Sequence, residues 1–388
     1  MPKIKFVSGG IFILLVMGGL WIASQRPLWN DEYYSLISSV INISYSHILG
    51  GGVNEGNNSP LFYTLQKFQC DLFSYHPPQE WMRGHWTGNY PYDWAFLRIQ
   101  AVVFMAMAVS SLFYYFARRN SWGMGIYAIA VTLTSSLFWF HWTEARPYAL
   151  WFSLGLFQIL ILLKILENPE DLNEKNLIYL FFLHCFLALV SVVSIVQIIS
   201  AGIVLWMFHR PRLFWYGFLI LIPLGICIFY YMHAPHYDFF FVDGPIALIN
   251  ANIPKDRLLI IFMTAGILIF QCRGKNLRSY LEIKYLVFFV LMLGAFGVIL
   301  LKMKCSQTEA PRGFQISSRY FLSLLPAGIV GTVLFSEYFF RAFLSRTWKV
   351  LAILILAVFL AFRFYKTSSP ININLNAITG HGSGSAHR

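Results

Sequence analysis

Residues 6–36 read FVSGGIFILLVMGGLWIASQRPLWNDEYYSL: an apolar run, then a basic residue and a proline, then Asp31 and Glu32 side by side among aromatic residues. The run over 6–24 is long enough to cross a hydrocarbon core, which takes about 20 apolar residues as a helix. Lys3 and Lys5 ahead of it give the charge pattern of a signal peptide. However, the run exceeds an ordinary h-region, and no small-x-small cleavage site follows. It is therefore read as a retained membrane anchor. The acidic doublet then stands where the chain leaves the bilayer, flanked by Trp29, Tyr33 and Tyr34, residue types that favour the membrane–water boundary.

The same pattern continues along the chain. Of its 388 residues, 57% are hydrophobic and only 12% charged, against about 25% charged in an ordinary soluble domain. Apolar runs predict spans at 6–24, 95–117, 121–141, 147–166, 177–191, 193–208, 213–231, 258–272, 285–301, 319–337 and 349–366. Length alone leaves open whether 177–208 is one tilted span or two. The expected fold class is an all-α polytopic membrane protein, a bundle of about eleven transmembrane helices forming one domain over 1–366. Within the first extracytoplasmic loop, 25–94, the segments DEYYSLISSVINI (31–43) and SPLFYTLQKF (59–68) carry apolar residues at helical spacing. They predict two interfacial helices joined through GGGVNEGNN. The tail over 367–388 is placed outside the cytoplasm. Its end, GHGSGSAHR, is low in complexity, reads in part as an artificial remnant and is left out of the fold reasoning.

Charge sets the orientation. The short connections ARRN, FHRPRL and CRGKNLRSYLEIK and the segment with Arg341, Arg346 and Lys349 are basic. The density of positive charge is roughly threefold higher on their side, which places them and the N-terminus in the cytoplasm. Most carboxylates, including Asp31, Glu32, Asp93 and Glu144, then face outward, where the loops are long and any chemistry is expected. The net charge of +12 comes from basic residues scattered singly through an apolar chain, not from clusters that track a phosphate backbone, and this argues against nucleic acid. The five cysteines show no metal spacing and are read as packing residues; only Cys70 and Cys305 fall on the same outer side as a conceivable pair.

Five elements on the outer side carry groups suited to chemistry. Asp31 and Glu32 read either as helix N-terminal acids opposing the macrodipole or as a general base in a partly desolvated setting. NNSPLFY (57–63) starts a helix at Pro60, with Ser59 as its cap. HWTEARPYALW (141–151) sets Glu144 and Arg146 in a short turn, where an ion pair competes with a substrate role. Arg98 stands one turn into the second span, and Arg319 opens the tenth. Snorkelling accounts for a lone arginine at either place. Lys302, Lys304 and Arg312 precede Arg319 in one loop, with Glu309 the acid among them, and such a set attracts a phosphate at head-group depth.

The order of these elements resembles the polytopic glycosyltransferases of the GT-C fold, in particular the branch with protein O-mannosyltransferases and lipid A aminoarabinose transferases. Asp31 and Glu32 match an Asp-Glu motif after the first span. SPLFY is similar to a PPLYY-like helix start, with Ser59 in place of the first proline. LRIQA, EARPYAL (144–150) and SRYFLSLLP (318–326) match later motifs in the same order, over about residues 1–330. The resemblance implies a donor made of a sugar on a polyprenyl phosphate and an acceptor hydroxyl on a glycan, lipid or protein outside the cytoplasm. Asp31, with Glu32, would act as base in a single inverting displacement. Arg98, Lys302, Lys304 and Arg319 would bind the leaving phosphate. Glu144, Arg146, Tyr33 and Trp29 would contact substrate or support the site, with Trp29, Tyr33 or Trp142 stacking on a sugar ring. No cofactor is expected to be required, although some relatives in the GT-C fold use a divalent cation. A prokaryotic plasma membrane is the expected location. A lipid or lipid-linked-sugar flippase, and a non-catalytic scaffold of a glycan-assembly complex, are the competing readings.

Overall fold

The computed structural model describes residues 2–53, 60–82, 84, 88–168, 172–209, 213–233, 239–241, 245–271, 277–302, 304–305, 314–316, 318–343 and 346–367. The first half contains α1 (Pro2–Gln25), α2 (Asn30–Ser39), α3 (Tyr45–Leu49), α4 (Leu61–Leu72), α5 (Gln79–Met82), α6 (Pro91–Arg119), α7 (Trp122–Leu133), α8 (Ser136–Trp142) and α9 (Tyr148–Glu167). The second contains α10 (Glu174–Val190), α11 (Ile195–Phe208), α12 (Leu213–Tyr216), α13 (Ile222–His233), α14 (Pro245–Asn252), α15 (Lys255–Gln271), α16 (Leu281–Lys302), α17 (Leu324–Phe343) and α18 (Arg346–Thr367).

Among the described residues, five helical stretches are long and apolar enough to cross a membrane: Lys3–Gln25, Pro91–Arg119, Tyr148–Glu167, Phe214–His233 and Leu281–Leu300. The architecture is that of an α-helical membrane protein. The fourth stretch passes through a π turn, Gly217–Leu221, between α12 and α13. α9 is the buried centre of the bundle, whereas α1 is a peripheral helix whose apolar side chains stay largely exposed, as a lipid-facing helix requires. α1 and α6 run antiparallel and close together. Ser8 donates to the Ser110 carbonyl at 2.9 Å near one end, and a Cβ on Gly19 would lie 2.6 Å from Val102 and 2.9 Å from the Trp142 indole near the other. Such close approach is what small residues allow between membrane helices. Trp142 is thus a packing residue between α1 and α8, not a platform for a sugar.

The stretch 121–141, predicted as one span, is two helices bent by 78°. Apolarity does not reveal the break; hydrogen bonding explains it. The carbonyl of Val131, freed at the end of α7, accepts from the buried Arg257 guanidinium at 2.6 Å, which also donates to Thr134 Oγ1 at 3.1 Å and Ser135 Oγ at 2.8 Å. A helix end inside an apolar bundle needs such a donor. The open question over 177–208 resolves as two helices: Ser191 ends α10, and its hydroxyl accepts from the Val193 amide at 3.3 Å. Several polar side chains around this break are hydrogen-bonded within the bundle. His184 bridges Gln158 and the Leu219 carbonyl at 2.8 and 2.7 Å, and Gln197 donates to the Gly155 carbonyl at 2.9 Å.

The two segments of 25–94 expected to be helical form helices, α2 and α4, with Pro60 at the start of α4. Ser59 and most of the glycine-rich connection lie outside the described residues. Two segments read as loop pair instead as a small parallel sheet. β1 (Phe239–Phe241) lies between β2 (Lys304–Cys305) and β3 (Phe314–Ile316). Cys70, Cys185 and Cys227 are free thiols.

The bundle has two polar ends. At one, Arg119 bridges Glu167 and Glu337 at 2.9 and 2.7 Å, Arg341 adds a contact to Glu337 at 2.6 Å, and Lys284 donates to the Leu166 carbonyl at 2.6 Å. This network ties the C-terminal parts of α6, α9 and α17 to the start of α16. The acidic doublet lies at the other end.

Candidate functional site at the Asp31 end

Helical geometry separates the two acids. Neighbours on a helix point about 100° apart, so Asp31 and Glu32, in the first turn of α2, cannot face the same way. Glu32 turns inward and is buried. Its Oε2 accepts from the Trp29 amide at 2.8 Å, capping the helix, and from Arg98 Nη2 at 2.6 Å. Its Oε1 accepts from Arg98 Nε at 2.9 Å and from the Ala145 amide at 2.6 Å.

Arg98 is equally committed. Besides the bidentate pair with Glu32, it donates to the carbonyls of Ala23 at 3.0 Å, Pro27 at 2.9 Å and Arg26. A guanidinium has five N–H donors, and all five are engaged. Arg98 is fully buried, so it has neither access nor a donor for a phosphate. The expected roles of Glu32 as catalytic and Arg98 as phosphate-binding are therefore corrected. Together they clasp the end of α1, the start of α2, α6 and the 143–147 turn. The cleft beneath α2, lined by Glu32, Phe62, Gln66 and Leu97 among others, lies on this inward side, away from the Asp31 carboxylate.

Asp31 faces outward and its side chain is 47% exposed. Arg319 Nη1 donates to its Oδ2 at 2.7 Å, and Arg146 Nη1 lies 3.5 Å from the same oxygen while donating to the Asp31 carbonyl at 3.2 Å. Arg146 Nη2 donates to the Tyr148 hydroxyl at 3.2 Å. The Tyr148 ring stands 5.5 Å from the Arg146 guanidinium and 5.8 Å from that of Arg319, so one aromatic group lies against both cations. Arg319 sits in the 3₁₀ turn Ser318–Phe321, and buried Asn252 at the end of α14 fixes that turn by donating to the Ser318 carbonyl at 2.9 Å. Arg319 differs from Arg98 where it matters. Its side chain is 29% exposed, and its Nε finds no partner among the described residues.

Glu144 does not form the ion pair with Arg146 that their proximity suggests. It takes His141 Nδ1 at 2.6 Å, while Arg146 turns to Asp31. Burial pushes the Glu144 carboxyl up, but the hydrogen bond and charge of His141 and the nearby charges of Arg146 and Arg26 outweigh it and bring it down to about 2. Arg26 is lowered to about 10 by burial and by the charge of Arg98, and so stays charged at neutral pH. Its guanidinium covers the half-exposed Trp29 ring at 4.7 Å. The Tyr33 hydroxyl donates to the Trp81 carbonyl at 2.5 Å, tying α2 to α5. Lys302 ends α16 and Lys304 lies in β2; their side chains, and all of Glu309 and Arg312, are outside the described residues. Among the described residues, no three His, Cys, Asp or Glu side chains converge to hold a metal ion.

The structure thus brings together Asp31, Arg146, Tyr148 and Arg319, and separates them from the Glu32–Arg98 clasp. Tyr148 and Asn252 were missed in the sequence. Tyr148 lies within EARPYAL and had a signal there; Asn252, in an unremarked loop helix, had none. No protein-family model and no curated protein matches the chain.

Proposed function

We propose that this chain is a membrane glycosyltransferase that moves a sugar from a polyprenyl-phosphate donor to an acceptor hydroxyl, in line with its resemblance to the GT-C enzymes. One observation carries the reading: a half-exposed carboxylate at a membrane-boundary helix start, bracketed by two guanidinium groups of which one, that of Arg319, is itself partly exposed. A base and an anion site in contact are what displacement of a phosphate by a hydroxyl requires. In this reading Asp31 takes the proton of the acceptor hydroxyl as its oxygen attacks the anomeric carbon. The bond from that carbon to the phosphate oxygen breaks with inversion, and the electron pair leaves on the phosphate. Arg319 and Arg146 stabilise that charge, with Lys302 and Lys304 close by in the chain. The Glu32–Arg98 clasp positions Asp31 and takes no part in the chemistry.

The wider arrangement follows. α10, α11, α15, α17 and α18 join the five long helices and the bent α7–α8 pair as spans, giving about eleven. The Asp31 end faces away from the cytoplasm of a prokaryotic cell, where lipid-linked sugars and acceptors meet. The proposal is tested by removing the protein from its host and analysing lipid extracts by mass spectrometry. A polyprenyl-phosphate sugar should accumulate, and its mass names the donor; an unchanged lipid profile rejects the reading.

Asn252 acts through Arg319. Asn252→Ala is expected to lower transfer roughly 10- to 100-fold, since small misplacements of a charge-stabilising group have such effects. Introduced on top of Arg319→Ala, it should add no further loss, the non-additivity expected of residues acting as one unit.

A further inference from the structure

The two arginines best placed to receive a phosphate already hold an anion, the carboxylate of Asp31. We infer that Asp31 is a built-in competitor for a phosphate site formed by Arg146, Arg319 and the Tyr148 hydroxyl, so that arrival of the phosphate releases the carboxylate. The inference rests on the proposed function only for the source of the phosphate; the competition stands on the geometry.

Arg319 Nη1 and Arg146 Nη1 both approach the same oxygen, Oδ2, at 2.7 and 3.5 Å, which leaves the carboxylate's other oxygen outside the pair. One oxygen shared by two guanidinium groups is a poorer match than the bidentate pairing seen 2.6 and 2.9 Å from Arg98 in the same molecule. The donor's phosphodiester presents two non-bridging oxygens, one to each fork, and the monoester left after transfer presents three with stronger charge. Tyr148 lies against both guanidinium groups and accepts from Arg146 Nη2, so it helps to place them independently of Asp31. The side chains of Asp31 and Arg319 are 47% and 29% exposed, which leaves the pair open to exchange, unlike the sealed Glu32–Arg98 clasp.

The exchange couples two events. With no phosphate bound, Asp31 is held as the counter-ion of two arginines. Once a phosphate takes the guanidinium groups, the carboxylate is freed beside the leaving group, so activation of the acceptor follows donor binding. Water entering in place of the donor meets a carboxylate still engaged by the arginines.

The test uses full-length protein in detergent micelles and measures binding of dodecyl phosphate and of inorganic phosphate by calorimetry, with a thermal melt confirming that each variant is folded. Removing a competitor that occupies the site nine-tenths of the time raises apparent affinity about tenfold. Asp31→Asn should therefore bind dodecyl phosphate about tenfold more tightly than the wild type, and Arg319→Gln and Arg146→Gln more weakly. If inorganic phosphate shows the same ordering, the site reads the phosphate group itself; if only dodecyl phosphate does, it reads a lipid-borne one. Equal or weaker binding by folded Asp31→Asn overturns the competition, and unchanged binding by both arginine variants overturns the site. Because no sugar transfer is measured, tightening in Asp31→Asn without any transferase activity in the wild type would reject the proposed function and leave this inference standing.

Discussion

Asp31→Asn is expected to reduce sugar transfer by roughly 10²–10⁴-fold, the usual contribution of a positioned general base, while the protein stays folded. The isostere keeps the shape, and the Arg319 turn stays fixed by Asn252, but the amide has no charge to pair with the arginines and cannot take a proton. The side chain is half-exposed and meets other charged side chains at the bundle's edge, so little packing is lost. The measurement is transfer of sugar from polyprenyl phosphate by purified wild type and variant, with the melting temperature recorded alongside. Undiminished transfer by folded Asp31→Asn removes Asp31 as the base.

Arg98→Ala and Glu32→Ala are expected to fail differently, by losing the fold. Removing one partner of a buried ion pair leaves an uncompensated charge in a low-dielectric setting and costs about 3–5 kcal/mol. Here the loss extends beyond the pair. Arg98 also holds three carbonyls at the end of α1, and Glu32 also caps α2 and fixes the Ala145 amide. Apolar replacement of both partners, which is often neutral for an isolated buried pair, should therefore not restore stability, because the Arg26 and Pro27 carbonyls lose the donors that Arg98 supplies. Thermal unfolding of the full chain in micelles reads the effect directly. A melting temperature within one or two degrees of wild type in either single variant would show that the clasp is dispensable.

How much of this was legible in the sequence depends on the kind of information needed. The long apolar runs that became α1, α6, α9 and α16 were readable, because bilayer-length apolarity is a local property. The break between α7 and α8 was not, since its cause is a guanidinium from α15, remote in the chain. The phenylalanines at 239–241 read as loop because three residues offer no alternation, and their pairing partners come from another loop. At the site, residue types and order sufficed to gather Asp31, Arg146 and Arg319 as candidates. Charge alone could not tell a structural arginine from one available to a ligand. Arg98 and Arg319 look alike as letters, and only the count of engaged donors separates them. The pairing of Glu144 with His141 was likewise hidden, because the turn between them sets which neighbour each side chain meets.

The three-stranded sheet has a consequence for how such a protein can vary. β1 and its two flanking strands come from loops separated by α14, α15 and α16, yet they share one ladder of backbone hydrogen bonds. Neither loop can gain or lose residues within the paired stretch without shifting the register of the other. Divergence in one is therefore constrained to be matched in its counterpart, and grafting a single loop from a related chain would break the seam unless both were exchanged together.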